Sequence, residues 1–447
     1  MDNVFYRNVR KPHKVVERGE GIYLYDENGK RYIDACAGSA VANIGHAHPR
    51  VVEAMYAQAG KVAFTHLSRW TSVPLIGLAG KIAGLAPGNL NKVYFVSGGS
   101  EATESALKMA RQYFLERDGK TSKYKIISRW KSFHGNTIGA LSMTGDKRRY
   151  KYTPLLLDFP HIAPAYCYRC PFDRDPSCCG LQCAYDLERT IKQVGADYIA
   201  AFIAEPVGGA ACGAIVPPPG YFRVIREICD RYDILLIADE VMTGFGRTGS
   251  MFAMERFGVV PDLMCIAKGM SAGYVPLGAV VASDEVFQAF QNGSGAFEHG
   301  HTYGGNPLAA AVALAVIDVV QEDKLVENAR VMGDYLLGEL KEKLAPLSIV
   351  GDVRGCGLLQ GVELVADKKG KKPFDPAFGL AERATMELME RGVVVYPGTG
   401  SSDGTAGDHF LLAPPLIITR EQVDELVTGL VEGLTALERI VAAEGAG

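Results

Sequence analysis

No part of this sequence approaches eighteen uninterrupted apolar residues, so no segment reads as a transmembrane helix. The first thirty residues, MDNVFYRNVRKPHKVVERGEGIYLYDENGK, lack the apolar stretch of a secretory leader, and the cytoplasm is the expected location. An excess of charge of one sign is missing as well. The 47 basic and 51 acidic residues are spread along the chain without a long basic run and give a formal net charge of −4. That leaves no electrostatic footprint for nucleic acid or an anionic membrane, and a small-molecule partner is expected. Internal repeats and low-complexity segments are absent, and so is the GK[ST] string of a P-loop nucleotidase.

What is present is 447 residues, 48% hydrophobic and 22% charged, enough to bury a large core and more than a single domain usually contains. Five of the ten cysteines, Cys36, Cys212, Cys229, Cys265 and Cys356, stand singly and read as core packing. Cys229, for instance, continues the helical stripe of Phe222 and Ile225, where a thiol behaves as a small hydrophobe. The other five, Cys167, Cys170, Cys178, Cys179 and Cys183, crowd into YCYRCPFDRDPSCCGLQC. Cys167-x2-Cys170 with Cys179-x3-Cys183 has nearly the spacing of a structural zinc knuckle, with Cys178 as a rival ligand; disulfides or free thiols in a compact loop fit the same spacing.

The stretch GIYLYDENGKRYIDACAG alternates apolar and polar residues around a DENGK turn, which predicts a hairpin. From about residue 55, short branched apolar runs recur: KVYFV (92–96), YKIIS (124–128), YIAAFIAE (198–205), ILLIAD (234–239), DLMCIA (262–267) and GAVVA (278–282). Several precede helical patterns, such as 101–118 and 220–232. Near-continuous apolar strands alternating with helices predict an α/β fold with a mainly parallel sheet covered on both faces. After about residue 325 the pattern restarts with a helix, short strands and a last helix carrying Val423, Leu426, Leu430 and Leu434 on one face. The expected division is 1–55 as the N-terminal segment of a small domain, 56–325 as a large ligand-binding domain and 326–447 as the C-terminal small domain. The Gly/Ser/Thr-rich stretch 398–407 reads as a loop.

Three strand ends carry candidate chemistry. Glu205 closes YIAAFIAE, Asp239 closes ILLIAD and Lys268 follows DLMCIA, at the edge where open α/β sheets bind ligands. If the strands are neighbours, the three side chains converge on one crevice. A desolvated lysine near other cations can lose its proton and attack an aldehyde. A buried carboxylate such as Asp239 could keep a pyridine nitrogen protonated. Taken singly, each residue belongs more often to a structural ion pair, since buried charges usually pair. In VSGGSEATESALK, Gly98 and Gly99 allow close backbone approach, Ser100 offers a hydroxyl, and a helix starting at Glu101 points free N–H groups at an anion. Alone, a glycine pair before a helix is a turn signal more often than a phosphate site.

The strings SGGSEATESALKMAR, SFHGNTIGALSMTG, EPVGGAACG, IADEVMTGFGRTGSMFA, CIAKGMSAGYVPLGAVV and HGHTYGGNPLAAAVALA follow one another as in the class III aminotransferases. The resemblance to this pyridoxal-phosphate family of fold type I runs from residue 20 to about 435. It implies a seven-stranded-type sheet in the large domain, a smaller α/β domain built from both chain ends, and pyridoxal 5'-phosphate as cofactor. Lys268 is implied as the Schiff-base lysine and proton shuttle, and Asp239 as the partner of the pyridine nitrogen. Val241 and Phe133 are implied on the two ring faces, with His134 and Gly135 completing the aromatic-HG motif. Gly99 and Ser100 are implied at the phosphate, Glu205 belongs to the same cofactor-binding set, and Thr302 reaches the phosphate from a neighbouring subunit. The active site is then the property of a homodimer, with a tetramer left open. No metal is implied in it.

Ping-pong transfer of an amino group follows, from an amine or an omega- or beta-amino compound to a small keto acid such as pyruvate. Taurine-type donors and beta-amino-acyl thioesters are further candidates. A decarboxylase, racemase or epimerase on the same lysine and aspartate is the alternative, and dependence on a keto acid separates them. Relatives that act on 4-aminobutyrate, ornithine or acetylornithine resemble one another in gripping carboxylates with two arginines. The corresponding places hold Asn136 and Leu411, which argues against those substrates. Glu205 thereby lacks its usual cation, for which Arg391 and Arg69 are candidates. Ala40 stands where amine–pyruvate transaminases often carry a bulky aromatic, which predicts a roomier substrate pocket.

Overall fold

Alternation along the central strands decides the architecture. In a computed structural model that describes residues 3–175, 177 and 179–445, Ile126, Ile203, Ile237, Cys265 and Val280 point into one apolar cluster. Their neighbours Ile127, Phe202 and Leu236, together with Met264 and Val281, point into clusters on the opposite face. Both faces must therefore be covered, as expected of a buried, mainly parallel sheet. Helix Gly99–Asp118 and helix Asp284–Asn292 cover one face. Helices Gln182–Val194 and Tyr221–Arg231 cover one end of the other face, and helices Val73–Leu85 and Pro307–Glu322 its remaining end. Each fully buried Ile, Leu or Val contributes about 1.5–3 kcal/mol by leaving water.

The sheet has seven strands, in the order Leu90–Val96, Gly278–Ser283, Leu263–Ile266, Leu235–Asp239, Ile199–Ala204, Lys125–Arg129 and His161–Ile162. Gly278–Ser283 runs antiparallel to both of its neighbours, and the remaining pairs are parallel. The three strands that end in or just before Lys268, Asp239 and Glu205 are adjacent, which meets the condition set by the sequence.

The predicted hairpin forms from Tyr23–Asp26 and Arg31–Asp34. Asp26 organises its turn, accepting from the N–H groups of Asn28 and Lys30, both at 3.0 Å, and from the Tyr32 hydroxyl at 2.8 Å. Val393–Val394 adds in parallel to this N-terminal sheet through Ile33 and Asp34, so the two chain ends meet. A second antiparallel sheet contains Val350–Cys356, Leu359–Leu364, Asp408–Leu412 and Tyr396–Thr399. One apolar cluster joins Ile22 and Ile33 to Leu336, Leu412, Val423, Leu426, Leu430 and Leu434. The segment 398–407 is not wholly loop: Gly398 and Thr399 pair in strand with His409 and Asp408. No helix among the described residues is long and apolar enough to cross a membrane.

Arg247 links these parts. It is fully buried and donates to the backbone carbonyls of Leu358, at 3.0 Å, and Pro414, at 2.5 Å, and to Asn43 Oδ1 at 2.8 Å. Three distant segments are thus held against the strand end that carries Asp239.

Candidate active site

Register brings the acids and the lysine together. Ala204 pairs with Ala238 and Asp239 with Cys265, so Glu205, Asp239 and Lys268 leave the same sheet edge side by side. Lys268 turns away from its strand in the left-handed region, at φ 45°, a conformation that costs about 1–3 kcal/mol outside glycine and collects at functional sites. No hydrogen bond or ion pair engages its amine among the described residues. Burial pushes that amine down from 10.5 to about 8; the charges of Asp239 and Glu205 oppose the shift, and those of Arg247 and Arg148 add to it. The lysine is therefore able to carry or release a proton near neutral pH.

Asp239 is held on both oxygens. His134 Nδ1 donates to Oδ2 at 2.7 Å, and the Val241 N–H donates to Oδ1 at 3.1 Å. His134 is itself fixed. Its N–H donates to Thr144 Oγ1 at 2.9 Å, and its carbonyl accepts from Thr103 Oγ1 at 2.6 Å. Residues on four segments thus fix the orientation of one carboxylate.

The helix next to Lys268 begins at Gly99, two residues earlier than the sequence pattern places it, and its N-cap Gly98 has no side chain to satisfy the first N–H groups. Those groups face the cavity and suit an anion. Ser100 Oγ accepts from the Asn136 N–H at 3.1 Å, which fixes the hydroxyl at the same place. Two glycines are required by close approach. A Cβ on Gly99 would lie 2.8 Å from Val241 Cγ1, and one on Gly135, at φ 133°, would lie 2.5 Å from Ser100 Oγ.

The cavity enclosed by these groups measures about 380 Å³ and is lined by Gly99, Ser100, Phe133, His134, Glu205, Asp239, Val241 and Lys268. Val41, Ala210, Met242, Val275 and Leu277 complete an apolar wall. Its donor set fits a phosphorylated pyridine aldehyde. An uncapped helix start with a serine hydroxyl suits the phosphate, a buried carboxylate suits a protonated ring nitrogen, and an unpaired lysine of lowered pKa suits the aldehyde.

Thr302, expected to act from a neighbouring subunit, lies exposed in the loop before Gly304 and outside its own chain's cavity. Other expectations change here. Neither Arg391 nor Arg69 serves Glu205. Arg391 bonds Glu387 at 2.9 Å, while Glu205 accepts from the N–H groups of Phe133 at 3.1 Å and Gly209 at 2.9 Å. Arg129, which the sequence did not single out, donates to the Glu205 backbone carbonyl at 2.5 Å. Burial pushes the Glu205 carboxyl up. Ala40 packs with Met242, Ala210 and Leu411 and does not itself line the cavity, whereas its neighbour Val41 does.

Among the described residues Cys167, Cys170, Cys179 and Cys183 stand as free thiols around one small cavity. Cys178 lies outside the described residues. Among the described residues no three His, Cys, Asp or Glu side chains are grouped to hold a metal ion. Arg148 and Arg247, whose charges act on Lys268, also escaped the sequence reading. Arg247 lies inside the quoted IADEVMTGFGRTGSMFA and Arg148 just past SFHGNTIGALSMTG, but only tertiary folding gives them their place.

Comparison with known proteins gives the same answer as the geometry. The chain is 41% identical over 429 residues to the uncharacterized aminotransferase YodT of Bacillus subtilis, with 96% of each chain covered. It is 39% identical to the putrescine–pyruvate aminotransferase of Pseudomonas aeruginosa, covering 94% of this chain and 90% of that one. The PLP-bound amine transaminase from an uncultivated Pseudomonas species superposes with a TM-score of 0.91 at 38% identity, covering 97% of both chains. Fold type I of the PLP enzymes is thereby established for this α/β architecture. With the class-III aminotransferase family model matching residues 4–434, the chain belongs to that family and is a pyridoxal 5'-phosphate-dependent aminotransferase.

Proposed function

We propose that this enzyme moves an amino group from an amine, or from an omega- or beta-amino compound, to a small keto acid such as pyruvate. The observation that carries this reading is the unpaired Lys268 amine beside the His134-held carboxylate of Asp239, in a cavity walled on one side by Val41, Ala210, Met242, Val275 and Leu277. Similarity to a putrescine–pyruvate aminotransferase supports both the donor class and the acceptor.

Bound pyridoxal phosphate supplies an aldehyde that captures amines and a ring that withdraws electrons from the substrate carbon. The chain does the rest. Asp239 keeps the ring nitrogen protonated, because a buried carboxylate stabilises the cation beside it. Val241 and Phe133 would hold the ring between them, and Glu205 orders the Phe133 and Gly209 backbone beside them. Gly99, Ser100 and the helix start bind the phosphate, joined by Thr302 of the partner subunit in a homodimer. Lys268 Nζ would take the proton from the substrate carbon and hand it back on the cofactor side, a role for which a pKa of about 8 is suited. Leu411, buried among Met242, Ala210 and Leu359, leaves the substrate wall apolar.

Product analysis tests the proposal. Purified enzyme with pyruvate and a panel of monoamines, diamines and omega-amino acids should form alanine and the matching carbonyl compound in equal amounts. Consumption of the amine at full rate without any keto acid would point to decarboxylation or racemisation instead.

A further inference from the structure

Resting on the aminotransferase reading above, we propose that Arg148 is the residue that receives the substrate carboxylate, and so determines recognition of the keto acid. An enzyme that takes a carboxylate-free amine and a keto acid in one cavity needs a cation at the cavity mouth and not in its wall. The residues lining the cavity include no arginine, and Lys268 is their single basic side chain apart from His134. Arg148 stands just outside. Its Cζ lies 4.7 Å from the centre of the Phe133 ring, which lines the cavity. Arg148 itself lines an adjoining cleft of about 270 Å³ that shares Ala210 with the cavity, and its charge depresses both the Lys268 amine and the buried His409 imidazole.

One of the three guanidinium nitrogens is already engaged. Asp146 caps the short helical turn Lys147–Leu155, accepting from the Arg148 N–H at 2.8 Å, and it also accepts from Arg148 Nη1. Nε and Nη2 have no hydrogen-bond partner among the described residues, and the side chain remains 29% accessible. A guanidinium gripped at one nitrogen and resting on an aromatic face still presents its other edge, which matches a carboxylate in two parallel hydrogen bonds. The other two basic side chains of the cleft are committed: Lys11 pairs with Glu382 at 2.8 Å, and Lys147 donates to Thr399 Oγ1. Among the described residues of this cleft, Arg148 is therefore the basic side chain that keeps donors unengaged within reach of the cavity.

The experiment compares pyruvate with a small aldehyde, which offers the same reacting carbonyl without a carboxylate, in the wild type, R148K and R148Q. Loss of a charge-assisted pair predicts a rise in KM for pyruvate of about tenfold to a hundredfold in R148Q, exceeding any change with the aldehyde by at least about tenfold, with R148K in between. Calorimetry with propionate, an unreactive carboxylate, gives a readout independent of turnover: R148Q should bind it correspondingly more weakly. Equal losses with pyruvate and aldehyde, or unchanged propionate binding, would overturn the proposal and leave Arg148 as a support for Phe133. Failure of the wild type to transfer amino groups would refute the reaction, while the propionate titration would still decide the role of Arg148.

Discussion

His134 Nδ1 and Asp239 Oδ2 lie 2.7 Å apart with 0% and 4% of their side chains accessible, so neither group can exchange its partner for water. Substitution H134L leaves a buried carboxylate short of one donor. A loss of about 1–3 kcal/mol in stability is expected, measured by urea unfolding, together with a lower kcat at saturating cofactor. D239N removes the charge that keeps the ring nitrogen protonated, and kcat should fall by about 10²–10⁴-fold, the span of a lost acid–base contribution. Wild-type turnover in D239N would remove Asp239 from the reaction.

Lys268 sets a pH dependence. In the cofactor-free chain its amine is held down from 10.5 to about 8, so labelling of Lys268 by an amine-reactive reagent, followed by peptide mass spectrometry, should rise with a midpoint near pH 8. The sign for stability follows by linkage. A lysine with a lowered folded pKa destabilises the fold wherever it is charged; this penalty is full below about 8 and disappears as pH rises to 10.5. A labelling midpoint near 10 would mean that the amine is solvated or paired.

Gly135 has no room for a side chain. At φ 133°, with a Cβ 2.5 Å from Ser100 Oγ and 2.9 Å from Ser100 Cα, G135A must push the helix start away from the cavity. Overpacking of this kind costs about 1–3 kcal/mol, and cofactor affinity should weaken by about tenfold to a hundredfold. Equilibrium dialysis against pyridoxal phosphate measures it, and unchanged affinity would separate the serine from the phosphate cradle.

The cysteine cluster should be distinguishable from the core thiols by chemistry. Cys167, Cys170 and Cys179 are partly accessible and unpaired. Cys229 and Cys265 are fully buried, and burial pushes their thiols up, that of Cys229 to about 12. Brief alkylation of native protein should therefore modify the first three before either of the others, as read by peptide mass spectrometry. Uniform modification would indicate global opening under the assay conditions.

The sequence made the central strands and the residues at their ends legible because short branched runs and strand-terminal charges are local signals. The adjacency of the strands ending at Glu205, Asp239 and Lys268 was only a condition until the register supplied it. Long-range placement was not legible. Arg129 reaches the Glu205 carbonyl, Arg247 ties Asn43 to Leu358 and Pro414, and Arg148 rests on Phe133, each across a separation that no periodicity records. The reverse error has the same cause: Arg391 and Arg69 were available charges in the sequence, but tertiary structure commits Arg391 to Glu387 and leaves Arg69 exposed, away from the Glu205 carboxylate. The start of the helix at Gly99 was misplaced by two residues because a glycine N-cap carries no side-chain signature.

The visible absorbance of the cofactor-loaded enzyme is the most direct test of amino-group transfer. Addition of a donor amine without keto acid should bleach the band once, in proportion to enzyme, and pyruvate should restore it. Continuous turnover of the amine with the band intact and no acceptor present would contradict transamination.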